Sequence, residues 1–413
     1  MSSEAFLRDF HHVATIGATA HDGVERQAAT ADDGRTRTWF AGWMRDAGRP
    51  VAVDGIGNMF GLYEWNPGAS YVVVGSHLDS QPLAGRFDGA YGVLAAMHAA
   101  ERIDERLAGA IPAYNLAVVN WFNEEGSRFQ PSIMGSSVYT GLFDRDAMLD
   151  VTDPDGVTVR KALADIGFLG TDEAPSAASY AEIHIEQGRR LERESIDIGL
   201  VESSWYTQKL DIDVLGEQSH TGATAMADRH DALVAASRIV LMVHDVTEDF
   251  EPETLVSSVG QLFVEPNSPI VVARRVHLVA DLRSGDPETV NAARAALVRQ
   301  VEELARASSL TINVRDFDIR PIRYFREDGI ALAARVTDRL GYSSRRLPTM
   351  AGHDSVALNT AVPAVMLFIP SVDGVSHCER EFSTDAAMVR GVDVLTDVAY
   401  ELVHGALAGD DER

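Results

Sequence analysis

Five short stretches of this 413-residue chain carry the residue types of a metal-assisted hydrolytic site. His77 and Asp79 stand in Gly75-Ser-His-Leu-Asp-Ser80. Asp88 comes eleven residues after His77, in Gly85-Arg-Phe-Asp-Gly-Ala-Tyr-Gly92, whose glycines let backbone approach closely. Further on stand Trp121-Phe-Asn-Glu124-Glu125-Gly126, His184-Ile-Glu-Gln187-Gly188 and Ser376-His377. Each piece alone has a bland reading. A histidine at a strand end is ordinarily a hydrogen-bonded structural residue, and adjacent glutamates are ordinarily a solvated face. Together they are imidazole and carboxylate donors suited to Zn²⁺, Mn²⁺ or Co²⁺, with one Asp able to bridge two ions. The same carboxylates gathered without a cation would repel one another.

The elements that must position them are strand ends. Tyr71-Val-Val-Val-Gly75 is a β-branched run suited to a buried strand, and His77 lies just past it. Residues 116–122 form a second apolar run ahead of the glutamate pair, and 183–185 lie in a third around His184. The first 50 residues have apolar positions at helical spacing, stopped by Gly48-Arg-Pro50. Residues 51–63 read as strand, turn and strand, and 90–103 as a helix. Strands alternating with helices predict an α/β layer domain with ligands at the carboxyl ends of its strands.

The middle of the chain has another rhythm. Leu210-Asp-Ile-Asp-Val214 alternates with period two, and so does part of 275–283. Helices are expected over 228–246 and 287–307. This predicts a small α+β sandwich over 206–325, inserted into a first domain of 1–205 and 326–413 that resumes with a helix at 328–340.

Composition bounds the partners. Formal net charge is −26, from 62 acidic and 36 basic residues, and such a surface repels phosphate backbones, so nucleic acid is not expected. Lys161 and Lys209 are the only lysines; the acidic, arginine-based balance fits a GC-rich genome and also a high-salt habitat. The single cysteine, Cys378, excludes an intrachain disulfide and a Cys-cluster zinc site; beside His377 it reads as a bystander, not a nucleophile. No stretch approaches the roughly 18 apolar residues of a membrane helix, and the N-terminus lacks the pattern of a signal peptide. The expectation is a cytoplasmic protein with no membrane partner.

The motifs resemble the dinuclear-metal amidohydrolases of hydantoinase/carbamoylase type, within the aminoacylase and carboxypeptidase G clan. That group includes N-carbamoyl-L-amino-acid hydrolases, β-ureidopropionase and allantoate amidohydrolase. The likeness covers nearly the whole chain and is most specific at Gly85-Arg-Phe-Asp-Gly89, Glu124-Glu-Gly-Ser-Arg-Phe129, His184-Ile-Glu-Gln-Gly188 and Gly352-His-Asp354. It implies an α/β, mixed-sheet, aminopeptidase-like catalytic domain for two metals, with an inserted α+β sandwich serving as lid and dimerisation domain. It also implies residue roles. Two divalent ions (Zn, Mn or Co) are held by His77, Asp88, Glu125, His184 and His377, with Asp88 bridging and the Asp79 carboxylate orienting the His77 ring. Glu124 is the general base toward a metal-bridging water: one glutamate is used on metal while its neighbour stays free for proton work. His220, in Gly216-Glu-Gln-Ser-His-Thr-Gly222, stabilises the oxyanion. Arg283, in Asp281-Leu-Arg283, holds a substrate carboxylate through its bidentate fork. Gln187 contacts substrate, and His353 lies on an active-site loop without being a ligand.

Three positions depart from the pattern. Ile270 stands where an Asn thirteen residues before Arg283 is usual, with Asn267 as a displaced substitute. Tyr206 replaces a glycine at the crossing into the inserted domain, and Ala225 replaces a proline after His220. The expectation is an intact hydrolytic engine with an altered pocket, acting on a small N-carbamoyl- or N-acyl-amino-acid-like substrate with a carboxylate. Allantoate, other ureido acids and dipeptides are the alternatives. A homodimer is expected, because a small sheet domain leaves an edge strand to pair or cover.

Overall fold

The run Tyr71-Val-Val-Val becomes a strand buried on both faces, and the sheet builds outward from it. The computed structural model describes residues 1–407. Along the chain the strands are β1 Val51–Val53, β2 Met59–Tyr63, β3 Tyr71–His77, β4 Asn115–Trp121, β5 Ala177–Ile185, β6 Ile198–Ser204 and β7 Tyr206–Leu215. They continue with β8 Ser219–His220, β9 Leu255–Glu265, β10 Val271–Val272, β11 Arg275–Ser284, β12 Thr311–Arg320, β13 Ser344–Thr349 and β14 Ala364–Ile369. By its internal contacts the chain divides into two units, Met1–Glu202 with Tyr324–Arg413, and Ser203–Arg323.

Among the described residues, the sheet of the first unit has eight strands in the order β1-β2-β4-β3-β5-β14-β6-β13. The central strands β4, β3, β5 and β14 run parallel, while β2 is antiparallel to β4 and β6 to β14, so the sheet is mixed. Helices Ala90–Leu107 and Asp385–Val403 pack on each other and on β3 and β5. Parallel strands end on one edge, so the segments after β3, β4, β5 and β14 all emerge there. Those segments carry His77 to Asp79, Glu124 and Glu125, His184 to Gln187, and Ser371 to Glu381.

The second unit has a four-stranded antiparallel sheet, ordered β12-β7-β11-β9. Leu210, Ile212, Val214, Val276, Leu278, Ala280 and Leu282 alternate into a core with helices Ala232–Asp245 and Pro287–Ser308. Lys209, Asp211, Asp213, His277, Asp281 and Arg283 take the intervening positions, so the opposite face is charged. β9 is an edge strand that leaves Phe263 59% exposed.

Two expectations on local structure need correction. The first 50 residues are not continuously helical: helices span Ser3–Val13 and Ala31–Asp46. Between them the buried Arg26 guanidinium donates to the carbonyls of Val13, Ile16 and Leu78. It thereby ties the end of the first helix to the segment after β3. Val24 meanwhile makes a bridge to Ala84. The helix expected from residue 228 begins instead at Ala232, because the Asp231 carboxylate caps the N–H groups of Leu233 and Val234. Among the described residues, no helix is long and apolar enough to cross a membrane.

Candidate metal centre

Asp88 stands between two groups of ligand-type side chains. Its Oδ1 lies 2.9 Å from His184 Nε2 and 3.5 Å from His77 Nε2. Its Oδ2 lies 3.2 Å from His377 Nε2, and Glu125 Oε2 is 3.5 Å from that same nitrogen. Two triads result, His77–Asp88–His184 and Asp88–Glu125–His377, each with donor atoms within 4.8 Å of one another. One carboxylate serves both.

The hydrogen bonds assign the tautomers. His77 Nδ1 faces the Asp79 backbone carbonyl at 3.0 Å, and His184 Nδ1 faces the Ile185 carbonyl at 2.9 Å. A carbonyl only accepts, so in each neutral ring Nδ1 carries the proton and Nε2 turns its lone pair toward Asp88. The Gly89 N–H, 3.1 Å from His184 Nε2, agrees with this assignment. Lone pairs and carboxylate oxygens facing one another leave a place for cations, and imidazole and carboxylate are the donors divalent zinc, manganese and cobalt take. The donor set therefore fits two such ions.

The electrostatics make the same demand. Burial pushes the Glu124 carboxyl well above its usual range; Asp354, Glu125 and Asp88 add to the effect and His77 opposes it. Burial likewise raises Glu125, with Asp88 adding to it. Burial disfavours charge on His77, yet Glu124, Asp88 and Asp79 outweigh it and hold the ring well above its ordinary value. Asp88 is held well below, because His184, His377 and His77 overcome its burial.

The helix Ala90–Leu107 starts directly behind Asp88, and Gly89 makes the approach possible. Gly89 has φ +62°, and a Cβ there would lie 2.3–2.4 Å from the His77 ring. Gly89→Ala is expected to displace His77 and to weaken metal uptake at the His77 triad by at least the about 10–100-fold of an outer-shell change. Metal titration of the variant checks this; an unchanged binding curve contradicts it.

Two supporting roles differ from expectation. The Asp79 carboxylate does not hold the His77 ring, whose Nδ1 lies 3.7 Å from Oδ1 and closer to the backbone carbonyl. That carboxylate instead accepts the N–H groups of Glu124 at 3.2 Å and Glu125 at 3.3 Å, fixing the glutamate pair. The Gln187 amide points at Asp88, with Nε2 2.7 Å from Oδ2 and 3.1 Å from Ser376 Oγ. Its Oε1 is buried with no partner among the described residues. His353 is buried with its ring edge-on to His184 at 4.6 Å, and belongs to neither triad. Burial, with His184 adding to it, holds His353 well below the usual imidazole range.

Sequence reasoning missed Gln81, whose Nε2 donates to Glu125 Oε2 at 2.9 Å, and Glu381, buried beneath Asp88. Neither has a spacing signal. Cys378 is a free, half-buried thiol.

The remaining predicted residues belong to the second unit. His220 lies on the β8–β10 ribbon, opposite Val271. Its Nδ1 accepts N–H bonds from Gly222 at 3.0 Å and Ala223 at 3.1 Å, which places the ring proton on Nε2. Ile270 stands beside it, 68% exposed, and Asn267 is exposed in the preceding turn. Arg283 grips Asp281 bidentately, at 3.0 and 2.8 Å. Tyr206 packs half-buried against the core of this unit. Asp211, Asp213 and His277 also converge on the charged face, but Arg315 and Arg275 already neutralise the two aspartates.

The profile of peptidase family M20/M25/M40 matches residues 73–401. A Mycolicibacterium smegmatis protein named as a hydrolase is 50% identical over 97% of this chain and 93% of its own. An N-carbamoyl-L-amino-acid amidohydrolase of Rhizobium meliloti is 34% identical over 94% of each chain. The crystal structure of a hydantoinase/carbamoylase family amidase from Burkholderia vietnamiensis superposes with a TM-score of 0.93 at 35% identity, covering 98% of both chains.

Proposed function

This chain belongs to peptidase family M20/M25/M40, and we propose that it is a two-metal amidohydrolase cleaving a linear C–N bond in a small N-carbamoyl- or N-acyl-amino-acid-like substrate. The observation that carries the reading is the Asp88 carboxylate shared by two triads, with Nε2 of His77 and His184 turned toward it. His77, Asp88 and His184 would hold one ion; Asp88, Glu125 and His377 would hold the other. Bound there, zinc, manganese or cobalt supplies a lowered water pKa and a polarised scissile carbonyl.

The chain's own residues do the rest. Glu124, buried and made more basic than an ordinary glutamate, takes the proton from the attacking water and returns it to the leaving nitrogen. Asp79 and Gln81 keep the glutamate pair in place. His220 offers its Nε2–H to the oxyanion, and Arg283 receives the substrate carboxylate; both assignments rest on the family resemblance. A carbamoyl substrate yields free amine, ammonia and CO₂, whereas an acyl substrate yields amine and a carboxylic acid.

The test is a substrate panel of N-carbamoyl, N-formyl and N-acetyl amino acids, allantoate, β-ureidopropionate and a dipeptide, scored for ammonia and free amine. Metal-dependent turnover of a carbamoyl or acyl amino acid supports the reading; turnover of the dipeptide alone overturns it. Ammonia release from allantoate instead would select the ureido-acid alternative.

The exposed edge β9 supports a homodimer, since such an edge invites pairing. Phe263→Lys is expected to shift the protein toward monomer in sedimentation equilibrium. Wild-type protein that sediments as a monomer contradicts the dimer.

A further inference from the structure

Beneath the shared carboxylate lies a second one that no ligand assignment uses. Glu381 is 4% exposed. Its Oε1 accepts the Phe87 N–H at 3.0 Å and the Asp88 N–H at 3.1 Å. Its Oε2 accepts the Ser376 hydroxyl at 2.6 Å. The packing is close: a Cβ at Gly85 would lie 2.2 Å from Glu381 Oε1.

Ser376 makes this contact consequential. Its Oγ is also 3.2 Å from Asp88 Oδ2 and 3.1 Å from the Gln187 amide nitrogen. A hydroxyl has one proton to give. Glu381 is nearer than Asp88, so the proton goes to Glu381, and Ser376 accepts from Gln187. Asp88 Oδ2 then receives the Gln187 amide at 2.7 Å and keeps its remaining lone pair on the side of His377. If Glu381 could not accept, the hydroxyl would turn and donate to Asp88 Oδ2. That oxygen belongs to the Asp88–Glu125–His377 triad alone, while Oδ1 faces His77 and His184.

We propose that Glu381 is a positioning residue that keeps the Ser376 proton off Asp88 Oδ2 and so sets the affinity of the second metal position selectively. The inference rests on the two-metal reading above. It acts on one position because the other has its own supports, the Asp79 and Ile185 carbonyls behind His77 and His184.

Glu381→Gln separates this from a merely structural role. Its amide oxygen still accepts the two backbone N–H groups, but its NH₂ donates to Ser376 Oγ and drives the hydroxyl proton onto Asp88. Stripped full-length protein titrated with Mn²⁺ by calorimetry should show two binding steps in the wild type. In Glu381→Gln one step should weaken by roughly 10–100-fold, the span for outer-shell partners, with the other step unmoved. Adding Ser376→Ala removes the misdirected proton and should restore most of the weakened step. Equal loss of both steps, no loss, or failure of the double variant to recover overturns the inference. A wild type that binds fewer than two ions overturns the two-metal reading itself, and the inference with it.

Discussion

Glu124→Gln is expected to lower kcat by about 10²–10⁴-fold, the usual contribution of a positioned acid or base, while both metals stay bound. Glu124 is outside both triads, and its Oε2 lies 3.4 Å from His77 Nε2, at the edge of the space the ligands enclose. Its backbone is anchored by the Asp79 carboxylate, so an isosteric amide should keep the loop in place. Burial raises the carboxyl, so its proton is held to higher pH than in an ordinary glutamate. The wild-type kcat/KM should rise with pH as this base becomes ionised, and the variant should lose that limb. A variant that keeps more than about a tenth of wild-type kcat would remove Glu124 from proton transfer.

Asp88→Asn should abolish activity and weaken both metal positions together, each by more than the about 10–100-fold of an outer-shell change. An amide presents one oxygen where the carboxylate presents two. Its NH₂ must face either the His77 and His184 lone pairs or His377, placing a donor where an acceptor is needed. The measurement is metal content after dialysis against a calibrated Mn²⁺ buffer. One ion retained at wild-type affinity would mean that Asp88 is not shared.

Much of the ligand set could be read in the sequence because several donors follow an apolar run. His77 ends β3, Glu124 and Glu125 follow β4, and His184 lies near the end of β5, so strand periodicity and residue type pointed to the same place. Asp88 and His377 have no such run, and their place among the ligands came from residue type and resemblance. What could not be read was hydrogen-bond direction. Nothing in the spacing says that the Asp79 backbone carbonyl, not its carboxylate, meets His77, or that Gln187 turns to Asp88. Glu381 reaches Asp88 across 293 residues, and no local pattern encodes such a contact. The same holds for Arg26, whose buried guanidinium bonds carbonyls on two segments. In the second unit, alternation marked β7 and β11 because one face is apolar. The Asp231 cap, not hydrophobicity, decides where its first helix starts.

The most direct test of the central claim is hydrolysis of an N-carbamoyl amino acid by protein stripped with a chelator and then reloaded with Mn²⁺, Zn²⁺ or Co²⁺. The account predicts that turnover disappears on stripping and returns as the second equivalent of metal is added. Turnover that survives complete removal of metal would contradict it.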